Sequence, residues 1–311
     1  MKKRLGKRWP LKKFLKIRFG IFFSRPLYGL FLGLSLNLVS CANPEGYPSK
    51  NRNQKIIDHT IHRATDLNKN SQFGIVGGTT PQAKDQVRWS TVGLYDLDSA
   101  TLCTGTIIGE KTILTAAHCV QDLFSLIVFF GDSIDEMGRT SVVTQVAVLS
   151  TYSRGNQAKV DLGDVAVVEI ADKIPATHNV AELISSDEAL NDGEDIVIVG
   201  YGATTGLQTG TVGSIKAARV KVLQKSLGQT EFVTNQSRGT GACFGDSGGP
   251  AYAVKNNRIK LVGIASRVGN SQGKDPCRGI GIYSKANFYQ PFVDAAQSGL
   301  AKQSKPSVES R

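Results

Sequence analysis

The feature that most constrains the fold is a change of pattern at Ile75. From there the chain consists of short runs of β-branched and apolar residues, each followed by Gly, Asn, Asp or Ser. Such runs predict β-strands joined by turns. Six runs precede residue 171 and six follow a polar segment at 171–194. The sequence therefore predicts an all-β fold of two six-stranded antiparallel barrels, at about 75–175 and 190–285.

The end of the chain follows a different period. Apolar residues from Phe288 to Ala296 recur at helical spacing, and Pro291 lies near the predicted start, where proline is tolerated. We expect a C-terminal helix that packs on the second barrel and ends near Ser298. Residues 299–311 are expected to form a polar tail.

Positive charge is concentrated at the N-terminus. The 311-residue chain has a formal net charge of +11, and ten of its basic residues lie among the first 25 residues, which contain no acid. The rest of the chain is nearly neutral. This distribution predicts a targeting segment and argues against a nucleic-acid partner.

An uncharged apolar run, Pro26–Ser40, follows the basic segment. It is too short for a membrane span and has the length of a signal-peptide core, so 1–41 is predicted to be a signal peptide. Its end, Leu38–Cys41, resembles the bacterial lipobox, in which Cys41 would be lipidated. The alternative is ordinary cleavage after Ala42. Both predict an exported protein, either lipid-anchored in a bacterial envelope or secreted.

Residues 42–74 are polar, with little apolar periodicity, and are predicted to be a linker or propeptide. His59 and His62 have a spacing that metal ligands can have. No cysteine or acidic cluster accompanies them, so no metal site is expected.

The cysteines fit an exported protein, since disulfides persist in oxidising compartments. With Cys41 set aside, Cys103, Cys119, Cys243 and Cys277 remain. Four cysteines allow three pairings, and the residues alone do not choose among them.

The strongest chemical motif is "GDSGGP", residues 245–250. Glycines on both sides of Ser247 allow a tight backbone that exposes the hydroxyl and directs peptide N–H groups to one point. Such N–H groups stabilise the oxyanion that forms when a hydroxyl attacks a carbonyl. The motif therefore predicts a nucleophilic serine.

A serine hydroxyl needs a base, and an imidazole needs a carboxylate to hold its tautomer. His118 in "TAAHC" is the candidate base. Asp164 opens an apolar run and is the candidate carboxylate. Asp161 is the rival, but it precedes a glycine and lies outside the run.

These motifs resemble the trypsin and chymotrypsin family of serine proteases. "IVGG" at Ile75, "TAAHC" at Thr115, "DVAVV" at Asp164 and "GDSGGP" at Gly245 occur in the family's order. The likeness spans roughly 75–298, the predicted protease domain.

The resemblance implies a chymotrypsin-like fold and a monomeric serine endopeptidase that cleaves polypeptides through an acyl-enzyme, without cofactor or metal. His118 would be the general base, Asp164 the acid that orients it and Ser247 the nucleophile. The N–H groups of Gly245 and Ser247 would form the oxyanion hole. Ser266 matches the family serine that hydrogen-bonds the triad aspartate.

The resemblance also implies two disulfides, Cys103 with Cys119 and Cys243 with Cys277. The first would fasten the loop that carries His118. A bridge over a loop of that size contributes about 3 kcal/mol in the loop-closure model.

Activation in this family starts with cleavage before the "IVGG" motif. Ile75 would become the new N-terminus, its ammonium would pair with Asp246, and 42–74 would be a propeptide that carries away any lipid on Cys41. Gly74 stands where many relatives have Arg or Lys. Activation by a trypsin-like enzyme is therefore not expected.

The resemblance further predicts a specificity pocket. Gly241 occupies the position at which trypsin places its acid, so a preference for Lys or Arg is not expected. Val268 would narrow the pocket towards small or medium apolar side chains. Arg267 replaces the usual aromatic residue, and Gly269 is the alternative wall residue. The predicted lining residues are Gly241, Ala242, Ser266, Val268 and Gly281.

Two other functions are compatible with parts of the sequence. A protease-like binding module would result if the bond before Ile75 were never cut. An esterase of another fold could use "GxSxG" at Gly245–Gly249, but such enzymes place the histidine after the serine and alternate strands with helices. His118 precedes Ser247, and no such alternation surrounds it.

Overall fold

The structure is a computed structural model that describes residues 75–120, 125–152, 160–207, 212–270, 273 and 275–303. The predicted signal peptide with Cys41, the predicted propeptide at 42–74 and the end of the predicted tail lie outside the described residues.

The first six predicted runs form the strands of a closed antiparallel barrel. The strand order around this barrel is β1-β2-β3-β6-β5-β4, and β1 pairs with β4 to close it. Closure pairs every strand on both sides and leaves no open edge. The strands are β1 Thr91–Asp96, β2 Thr101–Ile107, β3 Thr112–Thr115, β4 Leu126–Phe129, β5 Thr140–Val148 and β6 Ala166–Ile170.

The other six runs form a second closed barrel with the same strand order. The two barrels confirm the predicted all-β class and the count of six strands in each. The strands are β7 Asp195–Gly200, β8 Lys216–Leu227, β9 Glu231–Asn235, β10 Pro250–Lys255, β11 Arg258–Gly269 and β12 Ile280–Lys285.

The barrel interiors are filled by the β-branched and aliphatic side chains that marked the runs. In the first barrel one cluster includes Val92, Leu94 and Ile113, all fully buried. In the second, Phe232 and Tyr283 stack with ring centroids 5.2 Å apart. Burial of such side chains removes apolar surface from water and is the main stabilising contribution to a fold of this kind.

Among the described residues, two α-helices flank the barrels, α1 at Gln86–Trp89 and α2 at Ala286–Gln303. The predicted end of α2 near Ser298 is wrong, because buried Leu300 joins the core and extends the helix into the expected tail. Helix α2 also contacts β5 and β6 as well as β11 and β12, so it packs on both barrels. Within the described ranges, no helix is long and apolar enough to cross a bilayer.

Candidate active site

His118 and Asp164 meet because their strands are neighbours. His118 lies in the 3-10 turn Ala117–Cys119, just after β3, and Asp164 lies just before β6. Strands β3 and β6 pair with Thr115 opposite Ala166, which brings the end of one to the start of the other. Asp164 Oδ2 lies 2.8 Å from His118 Nδ1, and Asp164 Oδ1 accepts the His118 backbone N–H at 3.0 Å.

Asp164 is buried and is held as a carboxylate. Burial alone raises the pKa of a carboxyl group. The hydrogen bond and charge of His118, together with the hydrogen bond that Ser266 Oγ donates at 2.7 Å, outweigh burial and lower the pKa of Asp164 below its ordinary value. The group can therefore accept a hydrogen bond from the Nδ1–H of His118 over the ordinary pH range.

The alternative carboxylate, Asp161, binds residues of a turn. Its Oδ1 accepts hydrogen bonds from the N–H groups of Gln229 and Thr230 and from the Thr230 hydroxyl, at 2.7 to 3.0 Å. Asp161 therefore caps the turn between β8 and β9. The geometry pairs His118 with Asp164.

The loop that carries Ser247 depends on glycine. Gly245 and Gly248 have φ angles of +95° and +79°, in the left-handed region that L side chains rarely adopt. A Cβ at Gly248 would also collide with Thr115 Oγ1 and Thr104 O. The "GDSGGP" motif thus has a steric basis in this fold.

Hydrogen bonds clamp this loop to both barrels. Thr104, on β2, donates its N–H to Ser247 O at 2.8 Å and its hydroxyl to Gly245 O at 2.9 Å. Gly248 N–H donates to Ala265 O, on β11, at 2.7 Å. Ser247 consequently lies at the seam between the barrels.

Two N–H groups of the loop find no acceptor in the described part of the chain. The N–H groups of Asp246, Gly248 and Gly249 donate to backbone carbonyls, whereas those of Gly245 and Ser247 donate to no acceptor among the described residues. An unused pair of donors beside a hydroxyl can bind an oxyanion.

His118 and Ser247 line one cavity of about 160 Å³. Of the residues predicted to form the specificity pocket, Ala242, Ser266 and Val268 line the same cavity. Arg267 also lines it, but the sequence reasoning missed other lining residues, among them exposed Phe244 and buried Tyr283.

Gly241 and Gly281, two of the predicted pocket residues, do not line this cavity. Both lie against the side chain of Gln236. A Cβ at Gly241 would collide with the Cγ and Cδ of Gln236, and one at Gly281 would collide with its Oε1. No local pattern in the sequence singles out Gln236, which directly follows β9.

Arg267 is held by an acid that the sequence reasoning also missed. Its two terminal nitrogens lie 2.7 and 2.9 Å from the two carboxylate oxygens of Glu231, in a bidentate ion pair. The side chain of Glu231 is fully buried and that of Arg267 is 8% exposed. The positive charge of Arg267, which lines the cavity, is therefore compensated by a buried carboxylate.

Two disulfides brace the site. Cys103 bonds to Cys119, which follows His118, and Cys243 bonds to Cys277. Ring and sulfur atoms of His118, Cys103 and Cys119 lie within 4.8 Å of one another, a spacing that suits a metal. Because the two sulfurs are bonded to each other, neither is a thiolate that could bind one.

Ile75 and Asp246 both lie inside the protein. Ile75 is buried, and the next residue, Val76, exchanges two backbone hydrogen bonds with Gly241. Asp246 accepts the N–H groups of Gly202 and Cys243, each at 2.8 Å. Burial outweighs these bonds and raises the pKa of Asp246 to about 7.

Comparison with known proteins gives consistent matches. A family model described as Trypsin matches residues 75–293. Kallikrein-11 of Homo sapiens is 25% identical over 240 residues, which cover 71% of this chain and 82% of the relative. Collagenase of Hypoderma lineatum is 32% identical over 187 residues, which cover 55% of this chain and 69% of the relative.

A solved structure has the same fold. Neuropsin, a serine protease expressed in the limbic system of mouse brain, superposes with a TM-score of 0.60 at 21% sequence identity. The match covers 72% of this chain and 100% of that structure.

Proposed function

The chain belongs to the trypsin family and is a serine endopeptidase, and we propose that His118, Asp164 and Ser247 carry out its reaction. The observation that supports this assignment most directly is the 2.8 Å contact between His118 Nδ1 and Asp164 Oδ2, at a cavity that Ser247 also lines.

Asp164 accepts a hydrogen bond from the Nδ1–H of His118 and so holds the imidazole in the tautomer whose Nε2 carries no proton and can act as the base. Ser247 Oγ attacks the carbonyl carbon of the scissile bond while its proton passes to Nε2. The oxyanion that forms is bound by the N–H groups of Gly245 and Ser247. His118 then gives the proton to the leaving amine. Water, with His118 again acting as the base, attacks the acyl group and releases it from Ser247.

The residue before the scissile bond is a small or medium apolar one in this proposal. Two features support it. Gly241 provides no carboxylate where trypsin has its acid, and Val268, rather than a glycine, lines the cavity. Among the described residues that line the cavity, Arg267 is the only Lys, Arg, Asp or Glu, and its charge would not attract a Lys or Arg of the substrate.

The enzyme is made as a precursor and is activated by cleavage before Ile75. The buried carboxylate of Asp246 has no basic side chain of the described residues paired with it, and its raised pKa reflects that cost. A new ammonium at Ile75 would supply the missing cation. Residues 42–74 would then be lost as a propeptide.

The protein is exported through the signal peptide at 1–41, with either lipidation of Cys41 or cleavage after Ala42. Because no predicted disulfide links the propeptide to the catalytic domain, activation would free the enzyme from a lipid anchor. Mature protein that starts at Ile75 and is still acylated would contradict this sequence of events.

A fluorophosphonate probe tests the proposal. N-terminal sequencing first confirms that the protein starts at Ile75, and the probe should then label wild type but not Ser247→Ala. A cleaved wild type that takes no label would instead support the binding module with a protease-like fold.

A further inference from the structure

The side chain of Gln236 is fixed by three hydrogen bonds. Its Nε2 donates to Ala242 O and to Cys277 O, each at 3.0 Å, and its Oε1 accepts the Ala242 N–H at 2.9 Å. The residue is fully buried. Since nearly all of the hydrogen-bonding capacity of the amide is used by the backbone, the side chain has one well-defined position.

That position lies between Gly241 and Gly281. Any side chain on either glycine would collide with the Gln236 amide, so both glycines are needed to make room for it. Ala242, which holds the amide through both its N–H and its C=O, lines the cavity beside His118 and Ser247. The amide therefore fills the space directly behind the cavity wall.

We propose that Gln236 forms the floor of the pocket for the residue before the scissile bond and limits that residue to short uncharged side chains, from alanine to valine in size. The proposal rests on the proposed roles of His118 and Ser247 in the same cavity. It extends them, because it assigns the depth of the pocket to one residue.

The exclusion has two physical causes. A long side chain could enter only by displacing an amide that makes three buried hydrogen bonds, and an unmade buried hydrogen bond is costly. A lysine or arginine side chain would in addition lose its hydration and find a neutral amide in place of a carboxylate. The same floor thus excludes bulky apolar and cationic residues alike.

The experiment uses the enzyme after cleavage before Ile75, with active sites titrated by a fluorophosphonate. The substrates are peptide anilides that differ only in the residue before the scissile bond, with Ala, Val, Leu, Phe or Lys at that position. For wild type we expect kcat/KM for Ala and Val to exceed that for Phe and Lys by about 100-fold, since single methylenes can change kcat/KM by tenfold or more in such pockets.

Gln236→Ala should deepen the pocket, because it removes the amide that forms the proposed floor. We expect the ratio of kcat/KM for Leu to that for Ala to rise at least tenfold, mainly through a lower KM for Leu. Gln236→Ser should change the ratio in the same direction, and its hydroxyl can replace one of the lost hydrogen bonds. Gln224→Ala is the matched control and should leave the ratio unchanged, because the replaced side chain is exposed on β8 and donates to Ser226 O.

Two results would overturn the proposal. One is a wild type that cleaves after Leu or Phe as fast as after Ala, a result that needs no variant to fold. The other is a Gln236 variant that titrates fully and keeps the wild-type ratio. Failure of wild type to react with the fluorophosphonate is a different outcome, since it would refute the peptidase roles of His118 and Ser247 themselves.

Discussion

Asp164→Asn tests the chemistry of the site most directly. The carboxylate serves two donors through Oδ2, His118 Nδ1 and Ser266 Oγ, and a third, the His118 backbone N–H, through Oδ1. Asparagine has one oxygen and one NH₂ group. If the oxygen stays on the backbone N–H, the NH₂ group faces Nδ1, which must then accept a hydrogen bond. The imidazole proton moves to Nε2, and Ser247 loses its base.

The opposite orientation of the amide is no better, because its NH₂ group would then face the His118 backbone N–H, a second donor. Loss of the correct tautomer at such a site lowers kcat about 10⁴-fold. That factor corresponds to about 5.5 kcal/mol in activation free energy. We expect the remaining rate to come from the proposed oxyanion hole at Gly245 and Ser247 and from substrate binding.

The assay is hydrolysis of a peptide anilide by the enzyme activated at Ile75, together with a thermal melt to show that the variant is folded. Asp161→Asn is the matched control, since it makes the same change three residues away at a group that caps the turn at Gln229 and Thr230. We expect it to keep wild-type kcat. A folded Asp164→Asn enzyme within tenfold of wild type, or an equal loss in Asp161→Asn, would refute the reasoning.

Three predictions concern stability. Replacing Cys103 and Cys119 together by alanine removes a cross-link between residues 16 apart and should lower the free energy of unfolding by about 3 kcal/mol in urea titrations. Glu231→Leu removes the carboxylate that pairs with the buried guanidinium of Arg267 and should lower the free energy of unfolding by about 3–5 kcal/mol, and adding Arg267→Met should recover most of that loss. In the full-length chain, burial raises the pKa of Asp246 to about 7, above its unfolded value. Protonation of Asp246 therefore stabilises the fold fully below pH about 4, and this contribution is lost as the pH rises through about 7. Asparagine does not titrate, so the free energy of unfolding of Asp246→Asn should rise relative to that of wild type over that range.

Each of these has a clear contrary result. For the disulfide it is an unchanged urea midpoint in the double alanine variant under oxidising conditions. For the ion pair it is a double variant no more stable than Glu231→Leu alone. For Asp246 it is a difference in unfolding free energy between wild type and Asp246→Asn that stays constant from pH about 4 to about 8, because a group with an ordinary pKa would give no such slope.

The sequence by itself determined the two barrels, because short apolar runs and the turn residues after them are local properties that can be read without knowing which strand pairs with which. The same holds for Ser247 and its glycines, since the left-handed angles at Gly245 and Gly248 are demands of a single loop. A motif whose residues set the backbone angles of their own loop can be recognised from the sequence alone.

Tertiary structure decided what depends on pairing between distant residues. The register of β3 on β6 brought His118 to Asp164 and left Asp161 to cap a turn. Three other features likewise bring together residues that no local pattern connects. They are the insertion of Gln236 between Gly241 and Gly281, the ion pair of Arg267 with Glu231 and the burial of Leu300 in the core. Side chains that fill space or neutralise charge are specified by their neighbours in the fold, and those neighbours are known only once the barrels have closed.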